Sequence, residues 1–293
     1  MSHTANAAQA QRWNGEGGHY WIAHRERHLA GHRYLLPHLF RAAAISPGER
    51  VLDVGCGCGA TTIVAAHAAR GMAGTGPPDR LSGGDEPGRA VGLDLSGPML
   101  DVARRLAARA GAANARFVRG DAQICPLRRE SCDVMISSFG VMFFDDPAAA
   151  FASMAAALRR RGRLAFLCWQ HDTHNELFAL PLRAFGAHMR LPGPAVGELF
   201  TDPRRVTELL SGAGWEDIQI DAVSEPAWMG SDVADVMSYV RGMPMIRNLA
   251  AGLGDEVMTE RVLAVIAEQY SARQHPDGVW VRAAAWLVTA HRA

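Results

Sequence analysis

The 293-residue sequence contains no lysine: all 30 of its basic residues are arginine, and 30 acidic residues balance them to a formal net charge of zero. A chain with no charge excess has no overall electrostatic footprint for nucleic acid or an anionic membrane. Without lysine it also cannot supply the anion-cradling side chain of a phosphate loop. Exclusive use of arginine, with abundant Ala and Gly, points to GC-rich coding, which is reason enough for clusters such as Arg159 to Arg161. Cysteine is scarce, with five residues, no C-x-x-C pair and no histidine at zinc spacing, so neither a disulfide framework nor a bound metal is expected. No segment reaches the roughly 18 unbroken apolar residues of a membrane span. The opening MSHTANAAQAQRW lacks the charged-then-apolar pattern of a leader. These absences together predict a cytoplasmic protein, monomer or homodimer, whose partner is a small molecule rather than nucleic acid or a membrane.

What the chain does have is VLDVGCGCG, Val51 to Gly59. An apolar run ending in Asp53 predicts a buried parallel strand. Gly55, Gly57 and Gly59, with the small Cys56 and Cys58 between them, then let the backbone turn tightly against a ligand before a helix opens near Ala60. Two nucleotide-type ligands fit such a loop. Gly55, Gly57 and Ala60 satisfy the relaxed fingerprint of an NAD-dependent oxidoreductase. The alternating G-x-G-x-G after an acid instead resembles the first motif of class I S-adenosylmethionine-dependent methyltransferases.

Apolar runs and breakers predict strands near 50–55, 90–95, 115–119, 132–138, 162–169, 216–223 and 280–290. Helices are expected over much of 60–70, 97–111, 147–160 and 202–213. Strands alternating with helices imply a doubly wound α/β, Rossmann-like sheet. Seven strands, the last after a long excursion, resemble the methyltransferase order 3-2-1-4-5-7-6 with an antiparallel final strand. The expected organisation is an N-terminal helical lid over 1–45 and a cofactor core over 46–171. A cap segment follows over 172–201, then more core over 202–229, a helical cap over 230–275 and the last strand over 276–293. Within the core, 71–89 is rich in Gly, Pro and Asp and has no hydrophobic period, so a flexible surface insertion is expected there. It explains why Asp94 follows Gly59 by 35 positions, where a dinucleotide fingerprint has its acid after about 20.

Later strand ends carry further candidate contacts. Asp94, followed by Leu95, ends the second strand, where a carboxylate can accept from ribose hydroxyls; a helix-capping role is the competing reading. By the resemblance, Met99 packs on an adenine face, Asp121 accepts from the adenine amino group and the Ala122 amide donates to a ring nitrogen. Ser137 to Phe139 end the fourth strand, where a backbone carbonyl can hold the methionine amino group. The resemblance also makes RWNGEGGHYWIAHRERH a helix covering the cofactor, with Trp13, Tyr20 and Trp21 excluding water and an indole N–H available to the methionine carboxylate. It implies S-adenosylmethionine as cofactor, S-adenosylhomocysteine as product, and methyl transfer to a small aromatic or heteroaromatic carbon, nitrogen or oxygen acceptor. An indole-type ring is one such acceptor, with no motif behind it. Trp169, His171 and His174 follow strand five, where either histidine, or Tyr20 from the lid, is a candidate proton acceptor. His24, His28 and His32 share a helical face, but the intervening arginines predict a solvated polar surface. Trp228, Met237, Tyr239, Met243 and Met245 offer apolar surface in the cap. A non-catalytic cofactor-binding module remains the other alternative.

Overall fold

A computed structural model describes residues 6–70, 88–191 and 198–293. The expected flexible insertion at 71–89 therefore lies almost wholly outside the described residues. Among the described residues eight strands form one sheet: β1 (Arg50–Val54), β2 (Arg89–Asp94), β3 (Ala115–Arg119), β4 (Cys132–Ser138), β5 (Leu158–Trp169), β6 (Trp215–Gly230), β7 (Gln274–His275) and β8 (Gly278–Arg292). Their order is β3-β2-β1-β4-β5-β8-β6, and β8 runs antiparallel to both β5 and β6. The expected path is present, with one correction. The sheet has eight strands rather than seven, because the two-residue β7 folds back on β8 through the turn at Pro276 and Asp277. The last two long strands also exceed their apolar runs, since the ladder continues through polar positions, pairing Glu225 with Ala283 and Glu216 with His291.

Alternation sorts the strand residues between two layers. Val51, Val134, Ile136, Ala165 and Leu167 face one side with Leu35, Leu39, Ala65 and Ala66. Leu52, Val54, Met135, Leu164 and Phe166 face the other with Phe151, Met154, Val206 and Leu210. Central parallel strands are thus apolar on both faces, as a doubly wound sheet requires. The covering helices start where the sequence supplies a cap. Ser96 accepts from the Met99 amide to open Gly97–Arg109, and Asp146 and Asp202 do the same for Pro147–Ala157 and Pro203–Gly212, each with Pro at its first turn.

The N-terminal segment folds as four short helices, Ala7–Asn14, Glu16–Ala23, Arg25–His32 and Leu36–Ala43. Between β6 and β7 lie Val233–Gly242, Pro244–Leu253 and Glu256–Ser271. Both groups reach the edge where β1, β2, β4 and β5 end. They enclose a cavity of about 430 Å³ there. No helix among the described residues is long and apolar enough to cross a membrane.

Candidate active site

The order of the sheet lays out the cavity. At its centre the β1 loop turns through Gly55 and Gly57, with φ of +69° and +52°. A Cβ on Gly55 would sit 2.7 Å from the Gly140 Cα, so this glycine is needed for the β1 and β4 loops to cross. A Cβ on Gly57 would meet only the Met99 Sδ at 3.8 Å and the Trp21 Nε1 at 3.9 Å. That open cradle beside the backbone is a place where a ligand can approach the chain.

Toward β2 and β3 the lining is polar. Asp94 accepts from the Gly57 amide and the Ser96 amide, both at 2.8 Å. Burial raises its pKa above the ordinary carboxylate range, and the amides of Ser96, Gly57 and Leu95 pull it back. Asp121 and Ala122 follow β3, and both line the cavity. Each oxygen of the Asp121 carboxylate accepts from the Asn6 side-chain amide at 2.8 Å, and Oδ1 also accepts from the Gln123 amide at 2.9 Å. Asn6 also exchanges two 2.7 Å bonds with Asp145, its own amide donating to Oδ2 and its Oδ1 accepting from the Asp145 amide. Trp13 and Asn14 hold the turn after β2 from above: the Ser96 hydroxyl donates to the Trp13 carbonyl, and Asn14 bonds to Leu95 and Gly97.

Toward β4 and β5 the lining is aromatic. Phe139 holds a left-handed φ of +63°, which costs a bulky residue on the order of 1–3 kcal/mol. Its ring stacks on Trp169 with centroids 3.8 Å apart and touches His32 at 4.8 Å. The lid adds the Trp21 and His28 rings, stacked at 3.8 Å, and the cap adds Tyr239.

Of the candidates from the sequence, Trp13, Trp21, Gly55, Cys56, Gly57, Asp94, Leu95, Met99, Asp121, Ala122 and Phe139 come together on this cavity. Others stand elsewhere. Asp53 is fully buried beneath the loop, accepting from Thr61 and Thr62, while its Oδ1 has no partner among the described residues. Gly59 packs against Ala103 and Phe117, and Ser137 accepts from the Gly140 amide while Ser138 takes the lining position. Tyr20 is behind the wall, donating to the Tyr239 carbonyl at 2.8 Å. His171 and His174 are exposed, away from this cavity; His171 caps the short turn over Asp172–His174 by accepting from the Thr173 amide.

The structure corrects one expectation about the histidine face of Arg25–His32. That face is only partly exposed: His24 and His28 pack on Tyr239, and His32 packs on Phe139 and Trp169. The arginines reach round the helix instead, Arg27 to Asp235 at 2.5 Å and to the Met229 carbonyl, lying over the Trp228 and Tyr239 rings. Among the described residues no group of three His, Cys, Asp or Glu is placed to hold a metal. Sequence reasoning also missed Asn6. An Asn ahead of an alanine-rich helix is a visible capping signal, but nothing local names a partner 115 positions away.

A family model described as a methyltransferase domain matches residues 45–202, more than half of the chain. Aklanonic acid methyltransferase DauC of Streptomyces sp. strain C5 is 32% identical over 119 residues, 41% of this chain and 47% of that protein. The chain thus spans about half the length of that relative. Demethylmenaquinone methyltransferase of Clavibacter sepedonicus is 27% identical over 215 residues, 73% of this chain and 74% of its own length. Among solved structures, the YcgJ protein of Bacillus subtilis superposes with a TM-score of 0.55 at 16% identity, covering 89% of this chain and 99% of its own. That likeness carries the fold, and the family match adds lineage: the chain belongs to the methyltransferase-domain family.

Proposed function

We propose that this protein transfers the methyl group of S-adenosylmethionine to a small, uncharged aromatic or heteroaromatic molecule. The observation that carries the reading is the polarity gradient along the sheet edge: carboxylates at β2 and β3, an open glycine cradle at β1, aromatic rings at β4 and β5. A zwitterionic, sulfonium-bearing nucleoside needs that order. Asp94 keeps lone pairs for ribose hydroxyls, Asp121 and the Ala122 amide match an adenine edge, and Met99 and Trp21 flank the space above Gly57. Asp53, with an unpartnered oxygen beneath the loop, favours positive charge nearby. The donor set therefore fits the cofactor, which supplies an activated methyl carbon and needs no covalent help from the protein.

The chain's own residues then have two tasks, alignment and exclusion of water. Trp13, with its ring 6.1 Å from Trp21 and 5.3 Å from Phe143, closes the polar end. Phe139, Trp169, Tyr239 and Phe178 form flat walls that accept a planar ring and offer no ion pair to a charged acceptor. The named relatives act on aklanonic acid and demethylmenaquinone, and a small biosynthetic intermediate is the acceptor class we assign here. The test is incubation with methyl-labelled S-adenosylmethionine and a panel of phenols, indoles and quinols. Label in a low-mass organic product supports the reading. Cofactor binding with no transfer to any member, or transfer only to protein or nucleic acid, contradicts it.

A further inference from the structure

Methyl transfer to an aromatic O–H or N–H leaves a proton to be placed. The groups first considered for it are out of reach: His171 and His174 are exposed elsewhere, and the Tyr20 hydroxyl is held by the Tyr239 carbonyl. Two imidazoles line the cavity, His28 and His32, beside the Tyr239 phenol, which burial holds protonated. His28 lies flat on Trp21, 8° from parallel, and its Nε2 is sealed from solvent without a hydrogen-bond partner among the described residues. His32 ends its helix at the junction of β4 and β5. Its ring is wedged between Phe139 at 4.8 Å and Trp169 at 5.5 Å, and no described side chain bonds to its nitrogens. It is thus a ring with free nitrogens set inside the aromatic half, where the acceptor lies.

We propose that His32 is the catalytic base that takes the proton from an acidic O–H or N–H of the aromatic acceptor. The proposal rests on the methyl-transfer reading. The step balances. The acceptor's O–H or N–H bond breaks with its proton passing to an imidazole nitrogen, and the freed electron pair forms the bond to the methyl carbon. The carbon–sulfur pair stays with sulfur, and the imidazolium later releases its proton to water. One positive charge is present before the step, on sulfur, and one after it, on imidazole.

The electrostatics of the wall agree with that exchange. Burial pushes His32 down to about 4, so the ring is neutral near neutrality and does not repel a sulfonium. His28 is pushed down to about 3, by burial first and then by His32, His24 and Arg27, so it adds no second cation. Burial is the main penalty on protonating His32; loss of the sulfonium charge during transfer removes the added cation repulsion, so the base strengthens as the reaction proceeds. The other charged groups on the cavity are Asp94 and Asp121 at the polar end and Arg25 with Glu26, which pair with each other at 2.7 Å.

The test uses the full chain saturated with S-adenosylhomocysteine and two probes of equal shape, 1-naphthol and naphthalene. Affinities are measured for wild type, His32→Leu and His32→Gln. The naphthol-to-naphthalene affinity ratio is expected to fall about tenfold in His32→Leu, the worth of one hydrogen bond. Homocysteine-product binding should be unchanged, which shows an intact fold. With any phenolic or N–H acceptor that turns over, His32→Gln should lower kcat about a hundredfold at neutral pH, a loss that shrinks as pH nears the acceptor's own ionisation. An unchanged ratio in a His32→Leu protein that still binds the product overturns the proposal. So does a His32→Gln kcat within about threefold of wild type, too small a change for a general base. If His32→Leu does not fold, the same ratio is read in His32→Phe, which likewise has no hydrogen-bonding atom. A wild type that binds no S-adenosylhomocysteine refutes the methyl-transfer reading itself, a separate outcome.

Discussion

Replacing Asp53 by Asn should change the pH dependence of stability by an amount the structure fixes. Asp53 is fully buried, and burial raises its pKa from the ordinary 3.8 to about 6, against the pull of Thr62 and Thr61 and with a further push from Asp94. A carboxyl with a raised folded pKa binds more protons folded than unfolded between those two values. Its contribution is therefore fully present below pH 3.8 and is lost as pH rises through about 6. The difference corresponds to about 3 kcal/mol. His28 and His32 act in the opposite sense, because their lowered values make stability fall as pH drops below 6.5 toward about 3 and about 4. Both proteins share those histidines, so the gap between them isolates Asp53. Urea unfolding from about pH 4 to about pH 8 should show wild type losing about 3 kcal/mol relative to Asp53→Asn. The variant keeps one oxygen for the threonine hydroxyls and is expected to fold. Parallel stability profiles would refute the assignment of a strained, charge-bearing acid beneath the loop.

The glycines make a contrasting pair. Gly55→Ala places a methyl 2.7 Å from the Gly140 Cα and should lower the melting temperature sharply, whereas Gly57→Ala meets nothing closer than 3.8 Å and should cost about 1 kcal/mol through its positive φ. Its larger effect should be on affinity for S-adenosylhomocysteine, and equal melting losses in the two variants would contradict the cradle. Asn6→Ala removes the amide that occupies Asp121 and should speed association of S-adenosylhomocysteine about tenfold, the worth of one or two hydrogen bonds. Stopped-flow binding checks this, and an unchanged or slower association removes Asn6 from the ligand's path.

Much of the core is visible in the sequence, because apolar runs flanked by glycine and capping residues carry their own boundaries. The run at 132–138 and the strand Arg50–Val54 are of this kind, and Ser96 starts a helix through a bond to a residue three positions on. The glycine loop is legible for the same reason: its conformation is local. What escapes is set by distance in the chain. His171 and His174 stand two and five residues past a strand end that faces the cavity, yet the chain turns outward at Gln170, whose amide and side chain bond to Ala284 and Ala285 on β8. His28 and His32 lie on a helix whose arginines suggest a wet surface. Only the partner Asp235, some 208 positions away, shows that Arg27 bends aside and leaves the histidines facing inward.

The central claim, that the β1 loop with Asp94 holds S-adenosylmethionine, is tested most directly by calorimetric titration of wild type and Asp94→Ala with S-adenosylhomocysteine and with NADH. The account predicts one site for S-adenosylhomocysteine, weakened by about 1–3 kcal/mol in Asp94→Ala through loss of charge-assisted hydrogen bonds, and no comparable binding of NADH. Preference for NADH in the wild type, or full S-adenosylhomocysteine affinity in a folded Asp94→Ala protein, contradicts it.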